Sequence, residues 1–252
     1  MTLTPALWHR RFQQQATWTE PTRRYLLSRL NIQPGARILE AGCGTGVIIS
    51  SLIHEIGYTH ATVCGLDFNQ AFLSLAQRQN QPGRFTCGNA LDLPFPQEAF
   101  DVTACHYFLL WISDPETALA EMVRVTRLGG AVIAFAEPDY GGRIDYPAQL
   151  VELGQMQSAA LRDQGADPEM GRKLSGIFHS AGLHNVEIGV LAGQWQAPPS
   201  PEALDLEWQI IKADLHDIPV RQLQSLRNVD SVAWRSGARV LFVPTFYAVG
   251  WK

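Results

Sequence analysis

Nine consecutive residues carry the strongest structural signal in this chain: Ile38-Leu39-Glu40-Ala41-Gly42-Cys43-Gly44-Thr45-Gly46. An apolar run ends in an acid, and three glycines separated by single residues follow. Apolar side chains then recur at positions 48, 49, 52, 53 and 56, which lie on one face of a helix. A strand, a glycine turn and a helix begin a nucleotide-binding βαβ unit, in which the glycines let a ligand lie against main-chain N–H groups.

The glycine spacing and the preceding acid separate two classes of ligand. A dinucleotide site requires Gly-x-Gly-x-x-Gly or Ala, and the last position of that pattern is Val47 here. The Glu40 carboxylate would repel a pyrophosphate, whereas it would attract an ammonium group. S-Adenosylmethionine carries an amino-acid ammonium and no phosphate, so the pattern favours it over a nicotinamide dinucleotide. A glycine turn that only packs a helix on a strand is the structural alternative.

At this point the chain resembles the class I S-adenosylmethionine-dependent methyltransferases, whose first motif reads acid-x-Gly-x-Gly-x-Gly. Residues 88–101 are similar to the Gly-Asp-Ala-x-x-Leu-Pro-Phe-x-x-x-x-Phe-Asp pattern of the small-molecule group (methyltransferase type 11), which includes ubiquinone and menaquinone biosynthesis enzymes. The resemblance is strong over about residues 35–140 and weak at the terminal strands. Asn89 replaces the family's acid, although its amide can still accept a hydrogen bond from the adenine amino group.

The resemblance implies a doubly wound α/β fold. We expect a seven-stranded sheet in the order 3-2-1-4-5-7-6, with strand seven antiparallel and helices on both faces. Residues 1–34 are expected to form an N-terminal helical arm, in which Pro21 starts a second helix. Residues 35–252 would form the methyltransferase domain, with an insertion at about residues 195–238. We interpret this insertion as a helical cap over a substrate pocket, and a dimer surface is the alternative.

Asp67 ends a second buried strand, 21 positions beyond Gly46, where an acid accepts hydrogen bonds from ribose hydroxyls. By the resemblance, Glu40 and the glycine turn hold the methionine part of the cofactor, Asp67 holds the ribose, and Asn89 with Ala90 holds the adenine. The predicted cofactor-binding residues are Glu40, Gly42, Cys43, Gly44, Gly46, Asp67, Phe68, Asn89, Ala90 and Cys105.

Cys105, His106 and Tyr107 follow the fourth predicted strand, and ligands of such sheets lie at the carboxyl ends of strands. His106 is a candidate catalytic base because its ordinary pKa suits neutral pH. The alternative is a histidine that lines the cofactor pocket and forms a local hydrogen bond. Both roles of His106 are compatible with the sequence.

Two further segments are candidates for substrate contact. The polar loop after the fifth strand contains acids and a tyrosine, although an ordinary turn with solvated acids is the alternative. The N-terminal arm contains Trp8, Phe12 and Trp18, which form either a lid over the ligands or a cover for the sheet edge. The predicted substrate-binding residues are Trp8, Phe12, Tyr107, Glu137, Asp139 and Tyr140.

The composition is that of an ordinary folded protein, since 46% of the 252 residues are hydrophobic and 17% are charged. The net charge of −4, without a basic block, disfavours a nucleic-acid partner. The four cysteines lack metal-ligand spacing, so we expect no metal and a reducing compartment. Without a signal peptide or a long apolar run, the sequence predicts a cytoplasmic protein with no membrane insertion.

The predicted function is methyl transfer from S-adenosylmethionine to an O, N or C atom of a small-molecule acceptor, mainly by binding and alignment. The principal alternative is a catalytically silent S-adenosylmethionine-binding accessory or sensor protein. Methylation of RNA or protein and a nicotinamide-dependent oxidoreductase are weaker alternatives. Both a monomer and a homodimer are compatible with the sequence.

Overall fold

Seven strands form the main sheet of the computed structural model, which describes residues 3–30, 32–56, 61–79, 83–191 and 198–252. Numbered along the chain, they are β1 (Ala36–Ala41), β2 (Ala61–Asp67), β3 (Arg84–Cys87), β4 (Phe100–Cys105), β5 (Thr126–Pro138), β7 (His184–Leu191) and β9 (Thr245–Trp251). A separate two-stranded antiparallel sheet pairs β6 (Ile144–Tyr146) with β8 (Val240–Phe242).

The main sheet has the order β3-β2-β1-β4-β5-β9-β7. The first five strands in this order are parallel, and β9 runs antiparallel to both β5 and β7. When the seven strands are numbered by themselves, this order is the predicted 3-2-1-4-5-7-6. The fold prediction is therefore confirmed. Because β1, β2, β3 and β4 are parallel, their carboxyl ends lie at one edge of the sheet.

Eight α-helices surround the two sheets within the described residues. They are α1 (Pro5–Arg29), α2 (Val47–Ile56), α3 (Gln70–Gln79), α4 (Pro115–Val125), α5 (Val151–Asp163), α6 (Met170–Ser180), α7 (Pro201–Asp214) and α8 (Val220–Arg235). None of them is long and apolar enough to cross a membrane.

Two apolar clusters cover the two faces of the main sheet. One contains buried side chains of α4 and α6, and the other contains buried side chains of α1, α2 and α3. The central strand β5 contributes to both, because its residues 130–138 are all buried and alternate between the faces. This double coverage accounts for the nearly continuous apolar run in β5.

The prediction that Pro21 starts a second helix is wrong, because α1 is one 25-residue helix with Pro21 inside it. Ala16 and Leu26 lie on either side of the proline and are buried in the same cluster. Arg23 also bridges this region, since its guanidinium donates to the Ala16 carbonyl oxygen. Tertiary packing therefore outweighs the hydrogen bond that an internal proline removes.

A third apolar cluster joins α5, α7 and α8 in a cap beside the sheet. The helices α7 and α8 lie in the segment that was expected to form a cap, of which residues 195–197 are outside the described part of the chain. The helix α5 precedes that segment and packs with it, so the cap extends beyond the expected insertion. Its apolar contacts come from Leu150, Leu153, Trp208, Ile211, Leu215, Leu223 and Leu226.

Candidate functional site

The glycine turn lies between β1 and α2. Gly42, Gly44 and Gly46 have φ values of +70°, +53° and +77°, which side-chain-bearing residues rarely adopt. A Cβ atom at position 42 would lie 2.1 Å from the Phe108 ring, and one at position 44 would lie 2.9 Å from the Phe12 ring. The turn therefore requires glycine for its backbone conformation and for the two aromatic rings that lie on it.

The acid before the turn is buried but incompletely hydrogen-bonded. Glu40 is 1% exposed, and its carboxylate accepts a hydrogen bond from the Ile49 backbone. Within the described part of the chain, its Oε2 atom has no hydrogen-bond partner. Burial raises the pKa of Glu40 well above its ordinary value, and the positive charge of Arg23 opposes this shift. The side chain can therefore accept one further donor, for which a cationic group is electrostatically favoured.

Arg23, which the sequence analysis did not single out, carries a positive charge that acts on Glu40. Its guanidinium donates to the Thr19 hydroxyl within α1 and to the Ser51 hydroxyl of α2. Its Nε atom is buried and has no hydrogen-bond partner among the described residues. The available sequence signal was its position three residues before the apolar Leu26, which puts both side chains on the same face of a helix.

Asp67 connects the end of β2 to the glycine turn. Its Oδ2 atom accepts a hydrogen bond from Gly44 N at 2.8 Å, and its Oδ1 atom accepts one from Asn69 N at 2.8 Å. Burial raises the pKa of this carboxyl group. The next side chain, Phe68, is 82% exposed, which is unusual for a phenylalanine and leaves its ring free to contact a ligand.

The remaining predicted cofactor residues differ in accessibility. Asn89 is exposed, its Oδ1 atom accepts a hydrogen bond from Leu91 N, and the neighbouring Ala90 is buried. Cys43 and Cys105 are buried, and burial raises the pKa of both thiols well above the ordinary value. These thiols therefore stay protonated near neutral pH.

His106 and Tyr107 lie directly after β4. The His106 Nε2 atom is 2.8 Å from the Thr19 hydroxyl, so the imidazole connects the sheet edge to α1. Burial, assisted by the positive charge of Arg23, lowers the pKa of His106 well below its ordinary value. Tyr107 has a φ of +49°, and burial raises the pKa of its phenol. The imidazole is therefore neutral and the phenol protonated at neutral pH.

The two acids of the loop after β5 serve local structure. Glu137 is fully buried and accepts hydrogen bonds from the backbone N–H groups of Phe108, Leu109 and Leu110. Asp139 accepts one from Gly141 N and forms a bidentate ion pair with Arg172. Neither carboxylate is among the groups that line the adjacent chamber, so these contacts count against the expected substrate role of both acids.

A chamber of about 1030 Å³ separates α1 from the cap and reaches Tyr107 and Tyr140 at the sheet edge. Trp18, rather than Trp8 or Phe12, contributes the α1 aromatic ring to its lining. Trp8 instead stacks on Phe12, with ring centroids 5.6 Å apart. The aromatic arm is thus divided between the glycine turn and the chamber.

Comparisons with known proteins identify the family of this chain. The family model described as a methyltransferase domain matches residues 39–134. The demethylmenaquinone methyltransferase of Geobacillus sp. (strain WCH70) is 32% identical over 195 residues, which cover 70% of this chain and 81% of the relative. That of Bacillus subtilis (strain 168) is 28% identical over 200 residues, covering 72% and 84%.

A similar fold occurs in the solved structure of the YcgJ protein from Bacillus subtilis, with a TM-score of 0.59. The identity is 16%, and the match covers 92% of this chain and 98% of that chain. The chain belongs to the class I S-adenosylmethionine-dependent methyltransferases of the small-molecule type. It is an enzyme whose cofactor is S-adenosylmethionine, and this confirms the cofactor and reaction class predicted from sequence.

The contacts of Glu137 lead to a prediction about stability. Burial raises the pKa of Glu137 to about 7, from an ordinary value of 4.5. Between these values the folded protein holds a proton that the unfolded chain has lost, so this group's contribution to stability falls as pH rises. We expect the free energy of unfolding, measured with urea, to fall between about pH 5 and about pH 8 in wild type. It should fall less over this range in Glu137→Gln.

Glu137→Ala should be more severe, because it leaves three buried N–H groups without an acceptor. We expect its free energy of unfolding to fall by on the order of 3 kcal/mol. Glu116→Gln, an exposed acid on α4, is the control and should behave as wild type. Equal pH dependence in wild type and Glu137→Gln would contradict the assigned role.

Proposed function

We propose that this methyltransferase acts on a small aromatic acceptor enclosed in the chamber between α1 and the cap. The observation that carries the proposal is that Tyr107 lines this chamber and directly follows His106 at the sheet edge that carries the cofactor motifs. Aromatic rings of Trp18, Tyr140 and Trp234 also line the chamber and favour a flat, aromatic acceptor. Its volume is near the upper end of the range for small-molecule sites, about 300–1,000 Å³.

The incompletely satisfied groups of the site fit the cofactor. An amino-acid group carries an ammonium and a carboxylate, and Glu40 Oε2 and Arg23 Nε offer one complementary charge to each. We assign the methionine ammonium to Glu40 and the carboxylate to Arg23. Asp67 would accept hydrogen bonds from the ribose hydroxyls. Phe68, Asn89 and Ala90 would contact the adenine.

Bound S-adenosylmethionine supplies a sulfonium methyl group that is already electrophilic. The residues of this chain then have to hold the acceptor in line with it and exclude water. The helix α1 closes one side of the chamber, and Arg11 forms an ion pair with Glu207 of α7 that joins α1 to the cap. We therefore propose that the N-terminal arm and the cap act together as the lid over both ligands.

His106 is proposed to position the reacting groups rather than to remove a proton. Its neutral ring is held by Thr19 at 2.8 Å, and its lowered pKa makes it a weak base. The ring also packs edge-on against Tyr107, with centroids 4.8 Å apart. Through these contacts His106 would fix the Tyr107 wall of the chamber relative to α1.

The ribose assignment predicts that Asp67→Ala weakens the binding of S-adenosylhomocysteine by about 1.5–3 kcal/mol, the range for a hydrogen bond to a charged group. Isothermal titration calorimetry measures this change. Glu116→Ala removes an exposed acid of the same charge and should bind as wild type does. Unchanged affinity in a folded Asp67→Ala variant would contradict the assignment.

The ammonium assignment predicts a proton exchange. The raised pKa of Glu40 favours its protonated form in the free protein, whereas a bound ammonium favours the carboxylate. Binding of S-adenosylhomocysteine should therefore release a proton and become tighter as pH rises through that pKa. Calorimetry in buffers of different ionisation enthalpy detects the release, and Glu40→Gln should abolish it while Glu116→Gln leaves it intact. The assignment fails if wild type releases no proton.

The positioning role of His106 predicts a moderate loss of turnover in His106→Ala. A lost general base typically costs about 10²–10⁴-fold, and we expect a fall in kcat below about 100-fold here. Radiolabelled methyl transfer to demethylmenaquinone or to an acceptor from a screen of hydroxynaphthalenes measures it. Thr19→Val, which removes the hydrogen bond to the ring and also the hydroxyl that accepts from Arg23, should give a fall at least as large. A larger loss in His106→Ala alone would restore the general-base interpretation.

A further inference from the structure

A buried chain of ion pairs and hydrogen bonds runs through the cap side of the chamber. The Trp208 indole N–H of α7 donates to Asp230 of α8 at 2.9 Å. The Arg239 guanidinium donates to Asp230 at 2.7 Å and to Asp145 of β6 at 2.7 Å. The side chains of Arg239 and Asp145 are 2% and 3% exposed. This network thus ties α7 and α8 of the cap to the small sheet.

This series of ion pairs and hydrogen bonds ends at Gln157 of α5. Asp145 also accepts a hydrogen bond from Arg143 Nε at 2.5 Å, and Arg143 Nη1 donates to Gln157 Oε1 at 2.6 Å. A guanidinium only donates, so the amide oxygen of Gln157 must face Arg143 and its amide nitrogen must face away. The ion pairs therefore set the orientation of an uncharged side chain.

The Gln157 side chain lines the chamber with its amide nitrogen turned away from Arg143. Gln157 is 9% exposed and lines the chamber, and Arg143 Nη1 is its hydrogen-bond partner among the described residues. Its Nε2 atom consequently offers two N–H donors to whatever occupies that space. Leu153, one turn earlier on α5, and Ile211 give the surrounding wall an apolar character.

The net charge of these side chains does not account for ligand recognition on the α5 side of the chamber. Within this network, the positive charges of Arg143 and Arg239 are balanced by the negative charges of Asp145 and Asp230. All four side chains form ion pairs. What these ion pairs leave for a ligand is the oriented Gln157 amide group, with two N–H donors, beside the apolar side chains of Leu153 and Ile211. A site of this kind discriminates strongly, because a ligand without a matching acceptor leaves the buried N–H group unpaired.

Resting on the function proposed above, we infer that Gln157 selects acceptors that carry a carbonyl-type oxygen at the position facing α5. A ketone, an amide or a carboxylate supplies such an oxygen, whereas an alkyl group does not. Gln157 would thus determine acceptor specificity without touching the cofactor. Arg143 and Asp145 act through it as positioning residues.

Matched probes test this inference on protein loaded with S-adenosylhomocysteine. Acetylnaphthol and ethylnaphthol of the same substitution pattern differ only in the carbonyl oxygen, and the corresponding hydroxynaphthoate adds a negative charge. Calorimetry should show that wild type binds acetylnaphthol about tenfold more tightly than ethylnaphthol. Binding of hydroxynaphthoate tighter than acetylnaphthol assigns an anionic acceptor, and weaker binding assigns a neutral one.

Two variants of Gln157 sharpen the test. Gln157→Leu should abolish the preference for acetylnaphthol. Gln157→Glu keeps an oxygen for Arg143 but presents a second oxygen to the chamber, so acetylnaphthol should become the weaker ligand. Gln209→Leu, an exposed glutamine on α7, should keep the wild-type preference. All four proteins should bind S-adenosylhomocysteine equally.

Three results would overturn the inference: equal binding of the two probes by wild type, a preference that survives in Gln157→Leu, or no binding of any carbonyl-bearing probe. Each leaves the cofactor assignments standing if S-adenosylhomocysteine still binds. Failure of wild type to bind S-adenosylhomocysteine would instead overturn the proposed function itself.

Discussion

The buried guanidinium of Arg23 holds together the parts from which the site is built. It donates to groups of α1 and α2, and its charge acts on both Glu40 of β1 and His106 after β4. An arginine that is 2% exposed requires a charge partner, because an unpaired buried charge is strongly destabilising, and Glu55 of α2 supplies it at 3.6 Å. This requirement holds α1 against the carboxyl edge of the sheet. The chamber exists because α1 lies there and meets the cap through the ion pair of Arg11 with Glu207.

Polar side chains of the scaffold and of the candidate site differ in how completely they are hydrogen-bonded. Glu137 and Asp145 are buried, and several protein donors satisfy each carboxylate. Glu40 and Arg23 are equally buried, yet each keeps one atom without a protein partner in the described part of the chain. Since buried polar groups are normally satisfied, the second set indicates where ligands contribute the missing bonds.

The sequence predicted features correctly where the pattern was formed by residues close together in the chain. The glycine spacing and Glu40 predicted the cofactor class, and short apolar runs predicted the strands. The prediction of a helix start at Pro21 was wrong, because buried side chains on both sides of the proline keep α1 continuous. The sequence was also uninformative about Glu137, since an acid after a strand looks the same whether it faces a ligand or three backbone N–H groups.

Residue spacing was therefore sufficient for the glycine turn and the class of cofactor, because these depend on periodicity and on backbone conformations that few residues adopt. The sheet order and the class of enzyme followed from the family resemblance that these motifs carry. The tertiary structure alone decided that the charge of Arg23 acts on Glu40, that Trp18 rather than Trp8 lines the chamber, and that Gln157 turns its amide oxygen to Arg143. These facts depend on hydrogen bonds and contacts between elements far apart in the chain. Whether a polar group is satisfied is set by distances in space, which the order of residues does not record.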